Sequence, residues 1–245
     1  MTKLAIIGGT GLSRIKGLNI TATESIETPF GDPSANFVHG NINGKDIVFL
    51  ARHGNPHTIP PHKINYRANI WGLKKLGITD IIAVAAVGGI TSQMKPAHIV
   101  IPDQIIDYSY GREHTFFSDE LETVTHIDFT FPYKQILRYS LIQTAKQLKL
   151  PISTSATYGC TQGPRLESAA EIKRMEQDGC DLVGMTGMPE AALAKEMSIK
   201  YATIAVVVNW AAGKSEGEIT MSEIEIHLKK GMKNVLNLLT AFISD

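Results

Sequence analysis

Apolar residues fall along this chain in alternating short and long patterns. Residues 4–7, 46–50, 81–87, 156–160, 181–185 and 202–208 form compact apolar runs of strand length. The run at 81–87 is uninterrupted, as expected of a strand covered on both faces. Residues 98–106 repeat the pattern around Pro102. Between the runs the apolar spacing becomes helical. Residues 64–76 place Ile64, Ala68, Trp71 and Leu76 near one face and stop at Gly77. Residues 132–150 do the same with Ile136, Leu137, Leu141, Ala145 and Leu148. Helices are also predicted over 165–177, over 189–197 with Pro189 in its first turn, and over 222–243. Strand and helix alternate, which predicts an α/β fold: a central sheet with helices on both faces. In such sheets, sites gather just beyond the strand ends.

Composition narrows the picture. The 245 residues are 43% hydrophobic and 20% charged, with a formal net charge of zero. That is ordinary globular composition. It supports neither a nucleic-acid surface nor an anionic-membrane surface. Without a linker, repeat or low-complexity tract, a single domain over residues 1–245 is expected. The opening apolar run is too short for a signal peptide, and no run has the length of a membrane span. Cys160 and Cys180 lack metal-type spacing and read as reduced thiols. A cytoplasmic location is expected.

The polar signatures sit where the runs end. Loop 51–63, ARHGNPHTIPPHK, crowds Arg52, His53, His57, His62 and Lys63 with no acidic neighbour. A planar guanidinium matches phosphate or carboxylate bidentately. A plain surface turn is the alternative, since Gly54, Asn55, Pro56, Pro60 and Pro61 are turn formers. Gly8, Gly9, Thr10 and Gly11 follow the first run and let backbone N–H groups approach an anion. They are not a dinucleotide fingerprint, because Arg14 occupies the slot of the third glycine. Val87, Gly88 and Gly89 end another run. Met185 and Thr186 end a further one, with Thr186 a hydroxyl donor. Glu190 reads either as an acceptor for sugar hydroxyls or as a first-turn carboxylate favoured by the helix dipole. Asn209 closes the apolar stretch Val206–Val208, where an amide is costly unless paired. Its donors and acceptor suit the edge of a heterocycle, or a turn before Gly213.

Together these pieces resemble the purine nucleoside phosphorylase and methylthioadenosine phosphorylase family nearly end to end. The resemblance runs through GGTGL at 8–12, RHG at 52–54 with His57 and Thr58, NYRANIW at 65–71, Asp103 and Gln104. It continues through QGPR at 162–165, Met185, Thr186, Pro189, Glu190 and LAKE at 193–196. It implies a nucleoside-phosphorylase-like fold with a twisted, mixed central sheet flanked by helices. It implies phosphorolysis: inorganic phosphate attacks C1′ of a purine nucleoside, with no metal or organic cofactor.

By resemblance, Thr10, Arg52, His53, Thr186 and main-chain groups near Ala86 hold phosphate. Met185 lies under the sugar, and Leu166 beside the base. Ala85 stands where methylthioadenosine enzymes carry a phosphate-binding Thr. Those enzymes have Asp at the positions of Asn209 and Ala211, reading adenine; Asn209 suits a 6-oxopurine. His126, within THI at 125–127, resembles a histidine that reaches a neighbouring subunit's 5′ pocket. Ile224 falls where an apolar 5′-pocket residue is expected, one helical turn before His227. The expected substrate is S-methyl-5′-thioinosine, giving hypoxanthine and 5-methylthioribose 1-phosphate. An inosine/guanosine phosphorylase, a methylthioadenosine phosphorylase and a catalytically silent nucleoside- or phosphate-binding protein are the alternatives. The family further implies a homotrimer with shared active sites.

Overall fold

The computed structural model describes residues 3–9, 17–118 and 123–244. Its strands are β1 (Leu4–Gly8), β2 (Asn19–Glu24), β3 (Phe37–Ile42), β4 (Lys45–Ala51), β5 (Asp80–Gly89), β6 (Ile99–Val100), β7 (Gln104–Asp107), β8 (Ile152–Ser153), β9 (Thr157–Cys160), β10 (Leu182–Gly184) and β11 (Lys200–Trp210). Its helices are α1 (Tyr66–Lys75), α2 (Gln135–Gln147), α3 (Ala169–Gln177), α4 (Glu190–Glu196) and α5 (Met221–Ser244). Among the described residues these strands form one mixed sheet flanked by helices, as expected.

Period-two alternation within the long strands divides the core between the faces of the sheet. On β5, Ile81, Ala83, Ala85 and Val87 pack with α1 and α4; Ile82 and Val84 pack with α2 and α5. On β11, Ala205 and Val207 join the first layer, while Ile204, Val206 and Val208 join the second. Being covered on both faces, these strands carry no regular polar alternation, which is why β5 reads as an unbroken apolar run and β11 as one broken only by the buried Thr203. Helix α1 starts at Asn65, whose side chain accepts from the Ala68 N–H at 3.1 Å. Helix α3 begins later than the predicted residue 165, because Ser168 and Glu171 form a reciprocal capping box. The predicted strand at 98–106 is divided into β6 and β7.

The sheet forks at β5. One edge of β5 pairs with β11 along its whole length. The other edge pairs in parallel with β1 from Asp80 to Ala83, then with antiparallel β10 at Gly88 and Gly89. In between, residues 84–87 have no strand partner on that edge among the described residues. A parted sheet opens a crevice at the strand ends.

Candidate active site

A cavity of about 520 Å³ occupies that crevice. It is walled by residues 84–88 of β5, by the segments after β1, β4 and β10, by the end of β11 and by the first turns of α5. Ala86 is the one exposed residue of an otherwise buried β5. A larger groove of about 700 Å³ lies at the opposite ends of β1, β4 and β5, but contains none of the expected site residues.

Arg52 follows β4 and is only 2% exposed, yet it lines the cavity. Its Nε and one terminal nitrogen donate to Glu190 at 2.6 and 2.8 Å, and the other terminal nitrogen donates to the Val84 carbonyl at 2.9 Å. Of the guanidinium's five N–H groups, these three are engaged and two remain. Glu190 is fully buried and also accepts from the Tyr201 hydroxyl at 2.8 Å. Burial opposes the charge on Arg52, but Glu190 offsets it and holds the guanidinium above its ordinary pKa. Burial, reinforced by Glu190, raises the Tyr201 pKa and keeps its hydroxyl a donor. Glu190 therefore corrects the sugar-hydroxyl expectation. It does open α4, but its carboxylate orients Arg52 and is absent from the cavity wall.

His53 lines the cavity beside Arg52. Its Nδ1 donates to the Ile59 carbonyl at 2.9 Å, and its ring stacks on His57 with centroids 4.4 Å apart. Burial, then Arg52, and more weakly His57, push its pKa down to about 4 despite that bond. His57 and Pro61 also reach the cavity; His62 and Lys63 do not line it. The cationic loop is thus an anion wall only in part.

Met185 and Thr186 follow β10, and both line the cavity. Their turn is pinned by Arg112, a residue the sequence reading passed over. Arg112 is 9% exposed and donates to the carbonyls of Thr161, Gln162, Met185 and Met188. It joins the Met185 wall to the loop carrying Leu166.

Asn209 reaches the cavity through a break in register. Val207 pairs with Val87, but Asn209 pairs with Gly88, leaving Val208 as an extra residue. A one-residue slip moves a side chain to the opposite face. Without it, alternation would turn Asn209 away from Val206 and Val208; with it, all three line the cavity. His227 bonds the Val208 carbonyl through Nδ1 at 3.1 Å, and is not in the cavity wall. The Asn209 amide donates to the Trp210 carbonyl at 2.7 Å, which fixes its plane and leaves one N–H and the carbonyl oxygen.

Leu166 and Glu167 also line the cavity, and Glu167 accepts from the Thr161 hydroxyl at 2.6 Å. Glu167 directly follows the QGPR run and Leu166, the one local signal that marks it as a site residue. Ile219, Met221, Ile224, Leu228 and Met232 form an apolar lobe with Val206 and Val208. Ala85 and Ala211 also line the cavity. His126 is exposed before α2 and is not in its own chain's cavity wall. Thr10 lies outside the described residues, though Gly9 reaches the cavity.

Fold and site together define a member of the phosphorylase superfamily: the family's pattern matches residues 3–244, and the chain belongs to it. Among individual relatives, it is 53% identical to the "Probable S-methyl-5′-thioinosine phosphorylase" of Pseudomonas syringae, over 100% of this chain and 99% of that protein. It is 44% identical to the 6-oxopurine nucleoside phosphorylase of Pyrococcus furiosus, covering 99% of this chain and 92% of that one. A solved methylthioadenosine phosphorylase from Schistosoma mansoni, in complex with adenine, superposes with a TM-score of 0.94 at 31% identity, over 100% of this chain and 91% of that chain.

Proposed function

We propose that this chain catalyses phosphorolysis of 6-oxopurine nucleosides, with S-methyl-5′-thioinosine as its substrate and hypoxanthine and 5-methylthioribose 1-phosphate as products. The observation that carries the reading is that Asn209, Glu167 and Leu166 line the same cavity, with one Glu167 carboxylate oxygen held by the Thr161 hydroxyl and the other left over among the described residues. A 6-oxopurine offers an acceptor at O6 and a donor at N1–H. Adenine reverses both. The free Asn209 N–H suits O6, its carbonyl suits N7–H, and the Glu167 carboxylate suits N1–H. Against adenine, Glu167 would face the bare N1, leaving two acceptors opposed. The relatives' names agree with the oxopurine side of this choice.

Arg52, His53, Thr186 and the backbone at Ala86 suit phosphate, with Thr10 assigned there by resemblance. Fixed phosphate acts as nucleophile and as counter-charge to an oxocarbenium-like sugar. Asn209 stabilises the purine as negative charge reaches N7 and O6. Met185 suits the sugar face. The apolar lobe around Ile224, with His227 turned to Val208, suits a methylthio group better than a 5′-hydroxyl. The assembly is a homotrimer in which His126 serves the neighbouring subunit's 5′ pocket. The protein is cytoplasmic, one catalytic domain over 1–245, and needs no cofactor beyond phosphate as co-substrate. Phosphate-dependent release of hypoxanthine from S-methyl-5′-thioinosine tests the reading; failure of release refutes it.

A further inference from the structure

The His53 ring has its proton assigned by geometry. Nδ1 lies 2.9 Å from the Ile59 carbonyl, which can only accept, so Nδ1 carries hydrogen. The loop is closed around this bond, because the N–H groups of Thr58 and Ile59 both donate to the His53 carbonyl. Nε2 takes no partner among the described residues, while the ring stands in the cavity wall. The charged and titratable groups acting on the ring are Arg52 and His57 from its own loop and Glu190 from α4. The facing lining residues 84–88 and 183–186 add none. Arg52 and His57 disfavour the imidazolium, and Glu190 is committed to Arg52. In the neutral ring, Nε2 is therefore an acceptor. The charge of Arg52 is itself balanced by Glu190.

From this geometry we propose that Nε2 of His53 accepts the P–O–H hydrogen of hydrogen phosphate, leaving the other three oxygens unprotonated toward Arg52, Thr186 and the sugar. The inference rests on the phosphorolysis reading above and concerns where the proton resides. As a phosphate oxygen's lone pair forms the bond to C1′, the C1′–N9 pair leaves with the purine. The phosphate proton passes to Nε2 and then to solvent, and the purine takes one proton from solvent. Hydrogen phosphate dianion and nucleoside thus yield sugar 1-phosphate dianion and neutral base, with atoms and charge conserved.

Sulfate distinguishes an accepting from a donating histidine, because it carries no proton near neutrality. To bond sulfate, Nε2 must first take a proton from water. Competition by sulfate against phosphate should therefore weaken about tenfold per pH unit between about pH 6.5 and about pH 8.5. The KM for phosphate should stay level from about pH 7.5 to about pH 8.5, where the dianion carries its own proton. The variant His53→Gln should flatten the sulfate slope. Failure of sulfate to compete at any pH, while hydrogen arsenate replaces phosphate, is the limiting form of the expected result. Sulfate competition independent of pH, or parallel to phosphate, overturns the proposal, as does a slope that survives in His53→Gln. Loss of phosphorolysis altogether in the wild type is a different outcome and refutes the underlying reading. The wild-type comparison stands even if the variant fails to fold.

Discussion

Arg52 and Glu190 are 138 residues apart in the chain and 2.6 Å apart in space. Nothing local to Glu190 marks it as the partner of a phosphate-facing arginine, so the sequence offered only a sugar ligand or a helix-dipole carboxylate. Arg52 was legible because its own loop is cationic, and Asn209 because it ends an apolar strand. Glu190→Gln leaves the buried guanidinium without its counter-charge. Breaking such a pair costs about 3–5 kcal/mol, here divided between folding and phosphate binding. We expect a lower Tm and a raised KM for phosphate, with the nucleoside KM changed less. Unchanged Tm and phosphate KM would contradict the positioning role. Asn209→Asp replaces the donor to O6 with an acceptor. It should lower kcat/KM on S-methyl-5′-thioinosine by about 2–4 kcal/mol, the scale of a lost transition-state donor. Gain on methylthioadenosine should be smaller, because Ala211 supplies no second carboxylate and Glu167 still opposes N1. Steady-state kinetics on both nucleosides check this; a near wild-type rate on the oxopurine removes Asn209 as base reader.

Among the elements, the long two-face-buried strands and α1, α2 and α5 were legible from periodicity alone. The strands β2 and β3 were not. Every residue of β2 is exposed, so it has no apolar signature, and β3 mixes His39 and Gly40 among its apolar residues. The two-residue strands β6 and β8 owe their pairing to neighbours distant in sequence. The slip at Val208 was equally hidden, since three identical valines precede Asn209 and only pairing with β5 counts the extra one. Gly88 is the partner that makes room. A Cβ there would lie 3.2 Å from the Val183 side chain and 3.4 Å from the Asn209 amide nitrogen. Gly88→Ala should therefore displace Asn209 at an overpacking cost of about 1–3 kcal/mol. The expected signature is a higher nucleoside KM with phosphate KM nearly unchanged. Equal damage to both would place the effect on the sheet rather than on the base reader.

At the scale of the molecule, the forked sheet gathers groups from widely separated stretches into one cavity, and folding depends on their protonation. His53 has an ordinary pKa near 6.5 when unfolded and about 4 when folded. Below about pH 6.5 the unfolded chain binds a proton that the folded chain refuses. This contribution to stability is complete above the unfolded value and is lost as pH falls toward the folded one. Denaturant titrations between about pH 7 and about pH 4 should show stability falling, and His53→Gln should reduce that slope. An identical slope in the variant would assign the acid lability to other groups. The central claim concerns the substrate that this cavity selects. Its most direct test is kcat/KM with phosphate for S-methyl-5′-thioinosine, S-methyl-5′-thioadenosine, inosine and guanosine under one set of conditions. The account predicts that S-methyl-5′-thioinosine leads the series and that methylthioadenosine, differing only at the base, falls well behind. Preference for methylthioadenosine would contradict the reading of Asn209 and Glu167, and preference for inosine would contradict the reading of the apolar lobe.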